Sequence, residues 1–493
     1  MRVVYGGEKL NQHLILRYGL TKEFFETFRS LQYRGIELPL LLINYYYKII
    51  QPVVDQKRLD SLYIERKRYS FESMADIQRN LHRGPNCIRD LSSVTHRNAV
   101  LVPGILLPFA LKQLQSDPVI VMISNKKDEM AIRKQSIPSN FEIFNFRESI
   151  KNSKIQKKEI EALKNSVGRI ITCNLEHEVF GTAEFQTWII ARSLTAMKEV
   201  NVLENLIRQK KIGVILDHTE LVSPGNTLAL LGLKFGLPFI NVQHYLTTDA
   251  SIIPSRASHY CVWGENFKGW LESKGISQEK IIPVGSLRLE MENLSSSVNR
   301  AELMKQLNIP SHHQIILLTT QPFPEKVNTT IIQWLLKAMK DQPFSVIVKS
   351  HPNDHTDYVK HVKEKQNIIL NPSGFNLSDF MNNIDYCMTI SSNTAIEAAM
   401  FGKGILVLQP QIEYNFFLNY NDYHCHLAKA TAGEVIENEK ELIDTLRKLD
   451  QDQEFKCNLI RKAELFLKNT LSAGEAPSYR IFKLIKTLLK NKS

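Results

Sequence analysis

Residues 211–244, KIGVILDHTELVSPGNTLALLGLKFGLPFINVQH, decide the fold class of this 493-residue chain. The apolar run GVIL is followed by Asp217 and a polar loop. The next stretch, TLALLGLKFG, has the composition of a helix that ends at Gly236, and LPFIN is a second apolar run. Short apolar runs of this kind are typical of parallel strands that are buried on both faces. A strand, a loop, a helix and a strand in this order predict a parallel crossover, the building unit of an α/β fold.

The same alternation extends in both directions from this stretch. Before it, AVLVPGILLPFA and DPVIVMIS are apolar runs closed by Pro, Gly or Ser, and RIITCNL at 169–175 is predicted as a further strand. After it, HYCVWG, FKGWLESKG and KIIPVGS are predicted as a strand, a helix with Gly275 at its C-cap, and a strand. Beyond the polar segment 292–300, ENLSSSVNR, the alternation begins again and continues to ILVLQP, so two α/β halves are expected.

These patterns predict two Rossmann-like domains with a cleft between the carboxyl ends of their sheets, plus a helical N-terminal region. The expected segments are a Lys- and Arg-rich helical region, an acceptor-side domain, a nucleotide-donor domain and C-terminal helices, at 1–98, 99–292, 301–430 and 431–493 respectively. The fold class is therefore α/β.

The composition bounds the class of protein. With 43% hydrophobic and 23% charged residues, the chain is neither mostly disordered nor fibrous. Its net charge of +11 suits an anionic partner, either nucleic acid, an acidic membrane surface or a phosphate-bearing substrate, and charge alone does not choose among them. None of the six cysteines forms a CxxC pair. Since neither a secretory leader nor a membrane-spanning apolar run is visible, a cytoplasmic protein, soluble or peripheral, is expected.

The first chemical motif is ISSNTAIEAAMFG at 390–402. A predicted strand delivers Ser391, Ser392 and Asn393 to the start of a predicted helix, where backbone N–H groups and the helix dipole favour an anion. Thr394 and Glu397 also have the spacing of a capping box, so the alternative is that these two residues only begin the helix.

The second motif is VKSHP at 348–352, which places His351 just beyond the carboxyl end of a predicted strand. Because the following proline restricts its backbone, the direction of the imidazole is constrained. A protonated His351 beside Lys349 could bind a phosphate or protonate a leaving phosphate. The alternative is a solvated loop histidine.

Candidate bases lie in the first half of the chain. His244 follows FINVQ, and Asp217 and Glu220 follow GVIL, so all three are predicted at strand ends, where a base could deprotonate an acceptor hydroxyl. His244 could instead bind substrate by a hydrogen bond, and the acids could belong to a turn or an N-cap. We find no P-loop, no dinucleotide-binding Gly-x-Gly-x-x-Gly, no nucleophile elbow and no His-Glu-x-x-His, so neither a metal nor a cofactor is expected.

Together, the strand-end His-Pro, SSNTAIEAAMFGKG, INVQH and the later VWG and VGSLR resemble the GT-B glycosyltransferases. More narrowly, they resemble the bacterial surface-polysaccharide group, which includes capsule polymerases, bacterial sialyl- and Kdo-transferases and CDP-glycerol glycerophosphotransferases. The similarity covers residues 213–410. Tyr245 stands where that group has glycine after Gln-His, and Asp217-His-Thr-Glu220 differs from the acidic pair followed by glycine of the sialyltransferases.

The resemblance implies a metal-independent transferase that moves a sugar or a glycerol-phosphate-like unit from a nucleotide-activated donor to a cell-surface glycan, and not a nucleic-acid-binding protein. It implies that His351 contacts the donor phosphate, that Ser391 and Ser392 hold it, and that Glu397 binds the ribose. Lys349, Asn393 and Thr394 belong to the same expected donor site. Two alternatives remain, namely a sugar-nucleotide 2-epimerase of the same fold and a non-enzymatic nucleotide- or glycan-binding scaffold.

The C-terminal residues 479–493, YRIFKLIKTLLKNKS, have an apolar stripe flanked by Lys and Arg. Such a segment can lie on an anionic bilayer, which would suit a lipid-linked glycan acceptor at the inner face of the cell membrane. The alternative is a terminal helix whose stripe packs on the protein.

Overall fold

The computed structural model describes residues 10–85, 97–133, 135–292, 294–340, 342–362, 367–414 and 426–490. The chain divides into two compact units. The first unit comprises Glu8–Trp263, Leu271–Met291 and Gly474–Ser493, and the second contains Gly264–Trp270 and Glu292–Ala473. The division into four segments expected from the sequence stays a prediction.

The first unit begins with four helices and a short hairpin. In chain order these elements are α1 Gln12–Thr27, β1 Gln32–Tyr33, β2 Ile36–Glu37, α2 Leu38–Lys57, α3 Ser61–Arg68 and α4 Met74–Leu81. The apolar segment 38–50 forms the first part of α2, and Leu40, Ile43 and Ile50 are buried there. The side chains of Asn11 and Ser73 cap α1 and α4.

A seven-stranded parallel sheet forms the core of the first unit. Its strands are β3 Ala99–Pro103, β4 Val119–Ile123, β5 Phe141–Asn145, β6 Ile212–Asp217, β7 Phe239–Val242, β8 His259–Val262 and β9 Ile281–Pro283. Their order is β5-β4-β3-β6-β7-β8-β9, so the direction of winding reverses between β3 and β6. Ligands of open α/β sheets bind at the carboxyl ends of the strands at such a switch point.

Helices connect these strands. They are α5 Leu107–Gln113, α6 Lys126–Arg133, α7 Phe146–Asn152, α8 Lys157–Thr172, α9 Ala183–Gln209, α10 Gly225–Phe235, α11 Asp249–Ile252, α12 Glu265–Ser273 and α13 Leu287–Met291. The prediction of a strand at 169–175 is wrong, because the first four of these residues belong to α8. Leu163, Val167 and Ile171 recur at four-residue steps and are buried, which is the period of a helix.

The second unit contains a six-stranded parallel sheet. Its strands are β10 Gln314–Thr319, β11 Phe344–Lys349, β12 Ile368–Leu370, β13 Tyr386–Thr389, β14 Gly404–Leu408 and β15 Glu434–Ile436. The order β12-β11-β10-β13-β14-β15 again reverses the winding, here between β10 and β13. Two such sheets with connecting helices make two Rossmann-like units, which confirms the predicted fold class.

The remaining helices are α14 Arg300–Gln306, α15 Glu325–Ala338, α16 Leu377–Asn383, α17 Thr394–Met400, α18 His426–Lys429, α19 Glu439–Gln451, α20 Gln453–Thr470 and α21 Pro477–Lys490. The last helix, α21, returns to the first unit, where Ile481 and Ile485 are fully buried in the core of the first sheet. This packing favours the second interpretation of the C-terminal stripe, and contact with a bilayer stays a prediction. No helix within the described ranges is long and apolar enough to cross a membrane.

Candidate functional site

The carboxyl edge of the second sheet brings the two predicted donor motifs to one place. Strand β10 lies between β11, which precedes His351, and β13, which precedes the Ser391–Ser392 pair. Three polar residues, Thr319, Thr320 and Gln321, end β10 and begin the loop after it. Their side chains contact both motifs, so the edge is a connected set of polar groups rather than two separate loops.

One side of this edge is built on Gln321. Its Oε1 accepts from the backbone N–H of Ser391 at 2.7 Å and from the Ser391 hydroxyl at 3.0 Å. Ser391 is fully buried, so its hydroxyl proton is already committed within the protein. Ser392 is only partly buried, and its Oγ accepts from the backbone N–H of Thr394 at 3.2 Å. The Ser392 O–H proton can therefore point to a ligand.

The start of α17 does not contain the capping box that the spacing of Thr394 and Glu397 suggests. Asn393 is the N-cap residue, with no capping hydrogen bond from its side chain, and the Thr394 hydroxyl contacts the Thr319 hydroxyl at 2.7 Å instead. Glu397 is buried. Within the described part of the chain, the buried Oδ1 of Asn393 has no hydrogen-bond partner.

The other side of the edge carries His351, which is exposed. Its backbone N–H donates to Thr320 Oγ1 at 3.0 Å, and its Nδ1 accepts from the backbone N–H of Asn353 at 3.1 Å. A neutral imidazole that accepts at Nδ1 carries its proton on Nε2. His351 therefore presents an N–H donor away from its own loop. Lys349, at the end of β11, is half-buried, with Nζ 6.0 Å from the centre of the Phe380 ring.

A second set of polar side chains lies at the carboxyl edge of the first sheet, where β6 and β7 are neighbours. Asp217 ends β6 and is 2% exposed, and its Oδ1 accepts from the backbone N–H of His218 at 2.7 Å. The His218 Nδ1 lies 3.1 Å from the same oxygen. The ring centres of His218 and His244, which follows β7, are 5.7 Å apart. The structure therefore brings Asp217, His218 and His244 together.

The two histidines differ in their affinity for protons. Burial lowers the pKa of His218, but the Asp217 carboxylate outweighs burial and raises the pKa above its ordinary value. Burial lowers the pKa of His244 to about 3, and nearby positive groups act in the same direction. His244 is therefore neutral at physiological pH, whereas His218 can exchange a proton there.

Glu220 is placed differently from the other candidate bases. It is fully buried, and its Oε2 accepts from the backbone N–H groups of Arg256 and Ala257 at 2.8 and 2.6 Å. The Tyr260 hydroxyl donates to the same carboxyl group at 2.9 Å. Burial raises the pKa of Glu220 to about 7. Because its carboxyl oxygens already accept hydrogen bonds from the protein, Glu220 holds the segment before β8. These contacts do not favour Glu220 as the base that deprotonates the acceptor hydroxyl.

Tyr245, which stands where the surface-polysaccharide group has glycine, is 42% exposed beside His244, with ring centres 4.6 Å apart. Its hydroxyl accepts from Lys127 Nζ of α6 at 3.4 Å. The substitution therefore adds an aromatic face and a lysine to this edge, where glycine would leave open backbone.

One group of side chains in the described residues has the composition of a metal site, namely Glu23, His177 and Glu178 in the first unit. The ammonium group of Lys67 lies 2.7 Å from Glu23 and 3.0 Å from Glu178. A cation is therefore already supplied by the chain, and we assign no metal to this group.

Several solved structures have a fold similar to that of this chain. MnaA of S. aureus, solved with UDP, is 16% identical with a TM-score of 0.50, over 80% of this chain and 97% of that chain. A Listeria monocytogenes protein assigned as a UDP-N-acetylglucosamine 2-epimerase is 13% identical with a TM-score of 0.52, over 80% and 97%. A variant of the Wall Teichoic Acid Polymerase TagF is 11% identical with a TM-score of 0.45, over 90% and 98%.

The chain has the GT-B fold. At these identities the likeness establishes the fold and leaves the reaction open. No family model and no curated protein sequence matches the chain.

Two parts of these edges were not predicted from the sequence. No role was assigned to Thr319–Gln321, and Asp217 and Glu220 were considered without His218, which lies between them. The available signal was the same in both cases, since polar side chains directly follow an apolar strand. A parallel sheet places all such positions on one edge.

Proposed function

We propose that the protein is a metal-independent glycosyltransferase, which transfers a sugar or a glycerol-phosphate-like unit from a nucleotide-activated donor to a cell-surface glycan. The observation that carries this proposal is the carboxyl edge of the second sheet. There, Thr320 and Gln321 hold His351 on one side of β10 and Ser391 on the other. Such edges at a winding reversal are where α/β sheets bind nucleotides.

The donor phosphate would be held by several groups of this edge. The Nε2–H of His351 and the hydroxyl of Ser392 are donors suited to phosphate oxygens, and the Lys349 ammonium adds positive charge. The Oδ1 of Asn393 is an acceptor, so it suits a hydroxyl of the donor rather than its phosphate. The assignment of Glu397 to the ribose rests on the resemblance to GT-B transferases alone, as does that of Thr394 to the donor site.

We assign the acceptor base to the Asp217–His218 pair. Asp217 Oδ1 lies 3.1 Å from Nδ1 of His218, so the negative charge of the carboxylate stabilises the imidazolium that forms when the ring takes a proton. His244, with its pKa of about 3, is a poor proton acceptor and would instead bind the acceptor by a hydrogen bond. Both histidines belong to one edge of the first sheet.

The proposed step is a displacement in which His218 takes the proton of an acceptor hydroxyl. The acceptor oxygen forms a bond to the anomeric carbon of the sugar, or to phosphorus if the donor carries a glycerol phosphate. The bond to the nucleotide phosphate breaks, and its electron pair stays on the phosphate oxygen. Hydrogen-bond donors and positive charge at the second sheet's edge would stabilise this oxygen in the transition state.

The expected surroundings follow from the same proposal. A nucleotide donor and a glycan acceptor are the partners, and a lipid-linked acceptor would bring the protein to the inner face of the cell membrane. The net charge of +11 suits both the donor and an anionic surface.

A 2-epimerase is the second candidate, because solved proteins of this fold include UDP-N-acetylglucosamine 2-epimerases. Elimination and re-addition of a nucleotide require several acidic side chains in the site. Of the two candidate acids at the edge of the first sheet, Glu220 already accepts hydrogen bonds from the backbone, which makes this reaction the second choice. Incubation with CMP, CDP, UDP and GDP donors separates the candidates. Transfer consumes the donor faster when an acceptor is added, epimerisation proceeds without one, and a binding scaffold consumes nothing.

A further inference from the structure

The loop that carries His351 is held by its own hydrogen bonds. Besides the bond from its backbone N–H to Thr320, the His351 carbonyl accepts from the backbone N–H of Asp354 at 2.9 Å. The backbone N–H of Asn353 donates to the imidazole Nδ1 at 3.1 Å. The direction of the ring and the location of its proton therefore both depend on where this short loop lies.

Asp354 is the centre of that loop. Its carboxylate accepts from the Tyr358 hydroxyl at 2.6 Å, from the Asn328 Nδ2 of α15 at 3.1 Å and from the backbone N–H of Thr356 at 3.0 Å. The Thr320 hydroxyl donates to it as well. Burial raises the pKa of Asp354, but these hydrogen bonds outweigh burial and lower the pKa below its ordinary value. The group is therefore ionised at neutral pH.

The contact between Asp354 and Thr320 fixes what Thr320 can do for His351. A threonine hydroxyl has one proton and two lone pairs. Because the proton of Thr320 goes to Asp354, a lone pair faces the backbone N–H of His351. The three residues thus form a chain of hydrogen bonds that runs from a carboxylate to the backbone of the histidine.

We propose that Asp354 and Thr320 are positioning residues, which hold His351 as the neutral tautomer with its proton on Nε2, directed at the phosphate of the donor. Neither residue needs to touch the donor. The part of this proposal that concerns the donor rests on the proposed function, whereas the part that concerns the tautomer does not.

The test of the tautomer needs no substrate. The full chain is labelled with ¹⁵N-histidine, and the His351 signals are assigned by their loss in His351→Gln. In wild-type protein, in a buffer alkaline enough to keep imidazoles neutral, His351 should show the Nε2–H tautomer alone. Thr320→Val, which keeps shape but cannot accept a hydrogen bond, and Asp354→Asn should both show a mixture of tautomers.

The matched control is Tyr358→Phe, which removes one hydroxyl from the same carboxylate but leaves the chain from Asp354 through Thr320 to His351. It should keep the single tautomer. Thermal melting of each variant checks that it is folded. A single tautomer in both Thr320→Val and Asp354→Asn, or a mixture in the Tyr358→Phe control, would overturn the proposal.

Kinetics provide a second measurement once a donor is consumed. Loss of one positioning hydrogen bond should lower the kcat of Thr320→Val by roughly fivefold, which corresponds to about 1 kcal/mol. The KM for the donor should change by less than about twofold, whereas loss of a direct phosphate contact would raise it. If His351→Gln leaves activity unchanged, the role of His351 in transfer fails, while the tautomer result still decides whether Asp354 positions it.

Discussion

If His218 is the base, substitution of His218 and of the neighbouring His244 should have different effects on the rate of transfer. Replacing His218 with Gln removes the only imidazole of the pair that has an acid beside it, so transfer should fall by about 10²-fold or more, the usual contribution of a general base. His244→Gln should cost less than about tenfold. The two substitutions are matched, since the ring centres are 5.7 Å apart on the same edge.

The magnitude of this difference comes from the pKa of His244. At about 3, that pKa is about 3.5 below the ordinary value of 6.5 for histidine. Each pKa unit is worth about 1.4 kcal/mol, so placing a proton on His244 costs on the order of 5 kcal/mol more than placing it on an ordinary imidazole. His218 has no such penalty, because Asp217 reverses the effect of burial.

The pH profile shows which residue is titrating. A general base is active when deprotonated, so kcat should rise with pH through the pKa of His218. In Asp217→Asn, burial remains but the carboxylate is lost, so that pKa falls and the rising limb moves to lower pH, with a lower plateau. The assay is donor consumption with a fixed acceptor from pH 5 to 9. Full activity in folded His218→Gln, or an unmoved limb in Asp217→Asn, would refute the assignment.

Three further predictions concern other residues. Ser392→Ala should weaken binding of the donor nucleotide, measured by calorimetry, by about 1 kcal/mol, the worth of one hydrogen bond; unchanged binding would contradict the Ser392 contact. Because the pKa of Glu220 is raised to about 7 from 4.5, the stability that this group contributes is present below about pH 4.5 and is lost as the pH rises through 7. The isosteric Glu220→Gln should therefore remove about 3 kcal/mol of this decline in the free energy of unfolding, measured as a function of pH. An unchanged dependence of stability on pH would contradict this prediction. Ile485→Ala should lower the free energy of unfolding by about 2–5 kcal/mol, whereas wild-type stability with reduced binding to anionic vesicles would instead support the membrane interpretation of residues 479–493.

The sequence predicts most of the fold where buried strands and helices alternate cleanly. In 211–244 the structure has β6, α10 and β7 as expected, and Gly236 ends α10 with a φ of 63° in the left-handed region that glycine favours. The strand predicted at 169–175 is wrong for a physical reason. Ile170 and Ile171 are β-branched, which is typical of strands, but Ile171 also continues the buried stripe of Leu163 and Val167 on one face of a helix.

Four strands were not predicted: the two-residue strands β1 and β2 of the N-terminal hairpin, and the strands β5 and β15 of the two large sheets. β5 has mostly exposed side chains, so it lacks the apolar run that marks a buried strand. β15 has only three residues, which is too short for any periodicity. Strands β5 and β15 each lie at an edge of their sheet.

The candidate site could be predicted only in part. Strand ends identify His351, Ser391, Ser392, Asp217 and His244, because an apolar run followed by polar residues is visible in the chain. Which strand ends lie next to each other is a property of the sheet order, and a single sequence does not contain it.

Side-chain contacts add what the strand ends could not show. The role of Gln321 as partner of Ser391, and the occupation of Glu220 by backbone N–H groups, follow from packing between segments far apart in sequence. Both needed the structure.

Whether the protein is an acceptor-dependent transferase that uses His351 can be decided by measuring transfer with the full chain and its His351→Gln variant across CMP-, CDP-, UDP- and GDP-activated donors. We expect wild-type protein to consume one donor in an acceptor-dependent reaction, and folded His351→Gln to carry out this reaction about 10²-fold or more slowly. Consumption that does not depend on an acceptor, or equal rates for both proteins, would contradict it.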